Sequence, residues 1–417
     1  MPAVPPASVV VVGAGLAGAM AVTALRSSGF AGEVVLLGAE GLEPYDRPPL
    51  SKELLTRTEP AWLRDEVGAD LTGADARLDE PGTALAVDAE GVTVTTRSGE
   101  VRADAAVLAT GAEAVRPPGW DGALVLHTAL DAAVLRAAVR PGAEVVVVGA
   151  GWIGAEVAGV AAAAGARVTV VEAADAPLAT ALGAAVGALT VPWYAAAGVR
   201  LLTGARVASV HAGAVALEDG RSLPADVVLV AVGARPRSAW LADALPLGPD
   251  GALAVDAHFR VLTDDGPLDH VVAVGDVARR RSPRHGWVPG GHWDGALRGP
   301  AIAVRTLLEG PHAQPGPGDD PAPYVFSTQL GHELALHGHP QPTDDVVVRG
   351  GTDGTDGTGG TTVLWFHPGT DELSAVLAVD RPRDVAAARR LFTGAALPRL
   401  DRSGAEDDAR PLRALAR

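Results

Sequence analysis

Gly13, Gly15 and Gly18 follow the apolar run VVVV with the spacing G-x-G-x-x-G, and Leu16 and Ala17 fill the gap before the third glycine. The first glycine allows a tight turn, the second lets backbone approach a pyrophosphate, and the third lets a helix pack on a strand. The helix N-terminus that follows presents oriented N–H groups to phosphate charge. Glu40 closes the next apolar strand, where a carboxylate accepts hydrogen bonds from adenosine ribose hydroxyls; the plainer alternative is an exposed charge at a strand end. The spacing returns at Gly149, Gly151 and Gly154, with Ile153 inside it and Glu172 eighteen residues beyond the last glycine. A carboxylate at Glu172 suits ribose hydroxyls and repels a 2′-phosphate. No arginine follows in EAADAPLATALG, so this second site is expected to take NADH rather than NADPH.

Positioning these groups requires two β–α–β units, and hence two dinucleotide sites. Each unit opens on a β-branched run, as a parallel strand buried on both faces requires. The pieces ALAVDAEGVTVTTRSGE and RVASVHAGAVALEDGRSLPADVVLVAVG read as short β-meanders, and HVVAVGDVARRR as a further apolar strand ending in Gly-Asp. The stretch 309–323 is a Pro/Gly linker, and GGTDGTDGTGG (350–360) a flexible hairpin loop. The tail DRSGAEDDARPLRALAR is expected to be a peripheral helix or partly disordered.

The chain of 417 residues is too long for one core and predicts two or three domains. No run of eighteen apolar residues occurs, so no membrane span is expected. MPAVPPASVVVV enters a strand without the basic region and cleavage site of a signal peptide, which points to a cytoplasmic protein. A net charge of −16 argues against nucleic acid as a partner. The absence of cysteine excludes disulfides, thiolate-held zinc or iron–sulfur clusters, and thiol redox relays. No metal site is expected; the histidines of HELALHGH (His332, His337 and His339) follow a strand and lack ligand spacing. Lys52, in YDRPPLSKELL, is the only lysine among 34 basic residues. It is either a chance survivor of a composition that favours arginine, or a position that needs a compact ammonium.

Taken in order, the first loop, RPPLSK, LATGA, the second loop with GWIGAE, AVGDVA, HWDGAL and VDRPRDVAAARRL resemble the FAD-dependent NADH:ferredoxin reductases of the putidaredoxin reductase type, over nearly the full length. The resemblance implies an α/β fold with two Rossmann-like dinucleotide-binding domains, glutathione reductase-like, plus a C-terminal α+β domain. The implied division is 1–112 with 243–320 for FAD, 113–242 for NADH, and 321–417 for the C-terminal domain. It implies that Lys52 lies beside the flavin ring, where an ammonium stabilises the charge of the reduced ring. Arg47, Ala84, Thr110, Gly111, His127 and Asp276 are implied cofactor contacts. So are Trp293, against the isoalloxazine or else simply core packing, and Gly233. Glu156 matches a carboxylate near the nicotinamide, or else is a solvated helix charge. Hydride would pass from NADH to FAD, and single electrons onward to an iron–sulfur ferredoxin serving a monooxygenase or dioxygenase. The chain would work as a monomer or homodimer.

Four positions depart from the family pattern. His127 stands where an arginine is usual, Gly291 where an acid is usual, and Phe326 where a tryptophan is usual. Gly299-Pro300 interrupts a helix that otherwise runs on, so that helix is expected to kink or begin again at Pro300. All four fall around the flavin, which keeps a second possibility open: an NADH-dependent flavoenzyme acting directly on a small organic substrate or oxygen. A third is a binding protein whose FAD site has decayed. Arg279, Arg280, Arg281 and Arg284 form a basic cluster that either docks an acidic ferredoxin or is a solvated loop.

Overall fold

Two parallel sheets grow from the two glycine units. In the computed structural model, which describes residues 5–310, 318–351 and 360–417, strand Ser8–Val12 pairs in parallel with Glu33–Leu37 on one side and Ala105–Leu108 on the other. Asp75–Arg77 and Gly266–Ala273 extend this sheet, and a mixed edge of four further strands between residues 253 and 288 completes its nine strands. The second unit forms a four-stranded parallel sheet ordered Arg200–Leu202, Arg167–Val171, Glu144–Val148 and Val227–Val230. The valines of both central strands are buried, as strands covered on both faces must be. Each sheet carries an antiparallel three-stranded meander, at 84–103 and 207–224. Ala112–Ala114 pairs antiparallel with Ala234–Pro236, tying the two chain crossings between the sheets together.

The last part of the chain folds as a five-stranded antiparallel sheet, and helix Pro382–Leu391 packs on it. HELALHGH follows strand Tyr324–Gln329, as expected, and itself forms the next strand, His332–Gly338. His332 and His337 are five positions apart, so they point to opposite faces. His332 pairs with Asp380 (2.7 Å), and the His337 ring lies tilted against Tyr324, 4.4 Å between centroids. The tail is neither a helix nor loose: two 3₁₀ turns, Arg402–Gly404 and Leu412–Leu415, bury Leu412 and Leu415 against that helix and sheet. Residues 311–317 of the linker and 352–359 of the loop lie outside the described residues; the strands flanking the loop, Asp345–Gly350 and Thr361–Phe366, pair as a hairpin.

Two further expectations are corrected. The helix does not begin again at Pro300 but runs from Trp293 to Glu309 with the proline inside it. Its face bearing Ile302, Ala303, Val304 and Leu307 shares one core with Ala17, Ala21 and Leu25 of helix Leu16–Ser27. That burial outweighs the roughly 3 kcal/mol cost of an interior proline. Gly299 is required by packing, because a Cβ there would stand 2.9 Å from the Phe259 ring. The arginine cluster is not one surface. Arg280 and Arg284 each have a side chain only 7% exposed, and both pair with Asp320. Arg284 also donates to the Phe392 and Gly394 carbonyls. These two arginines clamp the edge hairpin to the C-terminal part of the chain and are unavailable to a partner.

Beside this clamp lie three histidines with buried ring nitrogens that lack a protein partner at one or both positions: His285, His292 and His337. Burial pushes all three down to about 4. They are neutral when folded, whereas the unfolded chain takes up protons near pH 6.5. Their contribution is therefore complete above about pH 6.5 and is lost as pH falls toward 4. Denaturant unfolding at pH 7 and pH 5 is expected to show a loss on the order of 1 kcal/mol per histidine, reduced when His292 is replaced by Asn.

Candidate functional site

The first loop is built by strand register. Gly13 follows strand Ser8–Val12, and its N–H donates to the Leu37 carbonyl of the neighbouring strand (2.8 Å). Its φ is +114°, and a Cβ there would stand 2.2 Å from the Ala109 carbonyl oxygen, so only glycine fits. Gly15 differs: nothing lies within 4 Å of a Cβ built on it. It caps helix Leu16–Ser27 without any side-chain hydrogen bond, leaving the first N–H groups for a ligand. The second loop repeats this geometry. Gly149 has φ +101° and donates to the Val171 carbonyl (2.8 Å), and Gly151 is open and caps helix Trp152–Ala163.

Both loops open on one cavity of about 1740 Å³. A single-ligand site occupies roughly 300–1,000 Å³, so this cavity has room for two dinucleotides. Gly13, Gly15, Leu16, Ala17, Glu40, Arg47, Lys52, Thr110, Gly111, His127, Asp276 and Trp293 line one part of it. Gly149, Gly151, Ile153, Glu156, Glu172 and Gly233 line the other. Gly18 and Gly154 stand behind the loops, where a Cβ would clash with Gly13 or Gly149, so they serve packing rather than contact. Ala84 is not brought into the cavity: it is exposed at the start of strand Ala84–Asp88, and its neighbour Thr83 lines the cleft instead.

Around the first loop the charges are tied together. The Tyr45 hydroxyl donates to Glu40 and accepts from the Ala129 N–H (2.9 Å) and from Arg47. Arg47 pairs with Glu40 at 2.7 Å and donates to the His127 carbonyl. Burial pushes the Tyr45 phenol up, which keeps it a donor. Burial, helped by the Arg47 charge, pushes His127 down, which keeps the imidazole neutral. His127 is held just ahead of helix Ala129–Ala138 by a capping box between Thr128 and Asp131. Asp276 accepts from the Gly291 N–H (2.8 Å). The Trp293 indole N–H donates to Asp46 (2.7 Å), and its ring meets Phe326 edge to face, so Trp293 is a wall of the cavity rather than plain core.

At the second loop, Glu172 accepts from the N–H groups of Ala150 and Ala174, each at 2.7 Å. Between the loops lies Glu156, only 3% exposed and not a solvated charge. Its carboxylate accepts from Lys52 Nζ (2.7 Å), from Ser51 Oγ and from Ser327 Oγ. Gln329 in turn donates to Ser327 (3.0 Å). Lys52 also stands 5.0 Å over the Phe326 ring. Sequence reasoning missed Tyr45, Asp46 and Ser51, although all three sit in the stretch that holds Arg47 and Lys52. It also missed Ser327, which is 171 residues from Glu156 and marked by no local signal.

A fold with two open glycine loops on one cavity, bridged by a half-buried ammonium on a buried carboxylate, defines a two-dinucleotide oxidoreductase. The pyridine nucleotide-disulphide oxidoreductase family matches residues 7–292, and the reductase C-terminal family matches residues 324–416. A probable ferredoxin reductase, CtmF, of Castellaniella defragrans is 32% identical, covering 92% of this chain and 93% of that protein. The ferredoxin reductase component of chlorobenzene dioxygenase from a Cupriavidus species is 34% identical, covering 92% of each. Among solved structures, the covalent putidaredoxin reductase–putidaredoxin complex superposes with a TM-score of 0.85 at 28% identity, covering 98% of this chain and 97% of that one. The chain belongs to the pyridine nucleotide-disulphide oxidoreductase family, among its ferredoxin reductases.

Removing the Glu156 carboxylate leaves Ser51, Lys52 and Ser327 without their common acceptor. Glu156→Ala is therefore expected to destabilise the protein by about 2–4 kcal/mol in urea unfolding. Ser327→Ala, which removes one hydroxyl donor and leaves the Lys52 cation on the carboxylate, is expected to cost less; an equal or larger loss for the serine variant contradicts the assignment of Glu156 as the node.

Proposed function

We propose that the chain is an FAD-dependent NADH:ferredoxin reductase, taking electrons from NADH and passing them singly to an iron–sulfur ferredoxin that serves a monooxygenase or dioxygenase. The observation that carries this is the convergence of both open glycine loops on one cavity, with Lys52 and Glu156 between them. In a chain without cysteine, no disulfide relay competes. Residues 1–112 and 243–320 would hold FAD, 113–242 NADH, and 321–417 would close the cavity with Tyr324, Phe326 and Ser327. Bound FAD supplies the conversion between two-electron and one-electron chemistry.

Within this reading, Gly13, Gly15 and the helix start at Leu16 and Ala17 receive the FAD pyrophosphate, and Glu40 the adenosine ribose. Arg47 holds Glu40 in place, while Asp276, Thr110 and Gly111 line the path to the ring. Lys52, fixed by Glu156, presents one N–H direction to the ring site, and Trp293 with Phe326 walls it from water. Gly149, Gly151, Ile153 and Gly233 receive the nicotinamide nucleotide, whose ribose falls to Glu172. The names of several relatives place them in dioxygenase systems, and a cytoplasmic location, where NADH is made, fits the same role. Among the described residues no helix is long and apolar enough to cross a membrane.

The test is an anaerobic NADH titration of the purified protein. Flavin absorbance bleached by about one equivalent of NADH and restored by oxidised putidaredoxin is the expected result. Turnover on a small organic substrate or oxygen with no response to ferredoxin favours the direct flavoenzyme instead, and colourless protein overturns the cofactor assignment. Because Gly15 and Gly151 have open space at the Cβ position, valine at either leaves the fold intact. Gly15→Val is expected to purify without FAD. Gly151→Val is expected to keep FAD but to raise the NADH Kd by more than tenfold, as read by flavin bleaching.

A further inference from the structure

Most arginines of this chain are tied to carboxylates or carbonyls, including Arg280 and Arg284 of the clamp. Nine, among the described residues, have neither a salt bridge nor a side-chain hydrogen bond, and four of these, Arg279, Arg281, Arg389 and Arg390, belong to two elements that meet: Arg279 acts on His339 and Arg389 on His337, two residues away. Arg279 and Arg281 alternate with buried Ala278, Arg280 and Ser282 along strand Ala278–Ser282, so both face outward. Arg281 is paired across the hairpin with Trp287, which is 39% exposed, and the Arg279 guanidinium lies 5.5 Å from the same indole. The turn of this hairpin is fastened by Arg284 to the Phe392 and Gly394 carbonyls, immediately after helix Pro382–Leu391. That helix ends in Arg389 and Arg390, both exposed. The charge of Arg389 reaches Tyr324, whose ring lies against Phe326 in the cavity wall. The acids in this region are already engaged: Asp320 with Arg280 and Arg284, Asp294 with Arg298.

We infer that Arg279, Arg281 and Trp287 of the hairpin, with Arg389 and Arg390 of the last helix, form the docking surface for an acidic one-electron acceptor protein. The inference rests on the ferredoxin reductase reading and locates its partner. On a protein of net charge −16, uncompensated cations in one place focus attraction for an acidic partner where the rest of the surface repels it. An exposed tryptophan between two guanidinium groups supplies the residue types that dominate interface energetics. The patch also borders Tyr324 and Phe326, so a partner seated there is brought to the wall of the redox cavity. Arginines paired with carboxylates elsewhere give no such field.

The experiment uses the FAD-loaded protein and putidaredoxin as the acceptor, measuring binding by titration and the rate of reduction by stopped flow across ionic strength. Arg281→Glu with Arg389→Glu is expected to raise Kd and lower the association rate about tenfold at low salt. The gap should close as salt screens the charges. NADH-dependent reduction of menadione, a neutral acceptor, is expected to stay at the wild-type rate and shows that folding and cofactor loading are intact. Arg140→Glu, an exposed unpaired arginine elsewhere, is the control and is expected to change binding less than twofold. Variants that bind as wild type does, or no worse than the control, overturn the surface. Patch-dependent binding without reduction supports the surface and overturns the reductase reading; a wild-type protein that neither binds nor reduces overturns both.

Discussion

A buried carboxylate must have its hydrogen-bonding capacity filled, and Glu156 fills it from two distant parts of the chain. Ser51 and Lys52 come from the segment after the first glycine unit, Glu156 from the helix of the second, and Ser327 from the last sheet. An unpaired anion at that depth would cost several kcal/mol, so the three segments can meet in only one arrangement. The shape of the cavity follows from that meeting, because Phe326 is carried in beside Ser327 and Lys52 reaches across its ring.

The two glycine loops are geometrically alike and electrostatically different. In each, the first glycine donates to the end of the next strand, and the second is open toward the cavity. The acids that follow them are held in different ways. Glu40 has its charge offset by the Arg47 guanidinium and is further bonded by Tyr45. Glu172 is held only by backbone N–H groups, with no cation paired to it among the described residues, and so keeps its full negative charge toward the site. In the proposed NADH site a 2′-phosphate brought to Glu172 would meet repulsion without relief, whereas a ribose hydroxyl would not.

Features set by short-range chemistry were legible in the sequence. Glycine spacing, β-branched runs and turn-bounded meanders each depend on neighbours within a few residues, and the two parallel sheets and both loops lie where those signals put them. What failed depended on tertiary partners. Pro300 reads as a kink or a new helix start, and the second does not occur, because the burial of Ile302 and Leu307 carries one helix through it. Four arginines within six residues read as one surface, yet strand alternation turns Arg280 inward and a distant Asp320 claims it together with Arg284. Ala84 sits next to the cleft, but a strand starts there and turns it to solvent. Ser327 carries no mark at all, because its importance lies wholly in a carboxylate far away in the chain.

The same carboxylate explains why position 52 holds the only lysine. Glu156 offers two oxygens: Oε2 accepts from Ser51, while Oε1 accepts from both Lys52 and Ser327. An ammonium is a compact donor that satisfies one oxygen and leaves the rest of the carboxylate to its other partners. A guanidinium prefers to engage both oxygens through its planar fork, which would displace Ser51 or Ser327 and push a wide group into the space beside Phe326. The lysine is also not the free cation that its isolation in the sequence suggests. Matched by Glu156, it brings a directed N–H and a local dipole to the cavity, which is enough to favour negative charge at one place without adding a net charge to the interior.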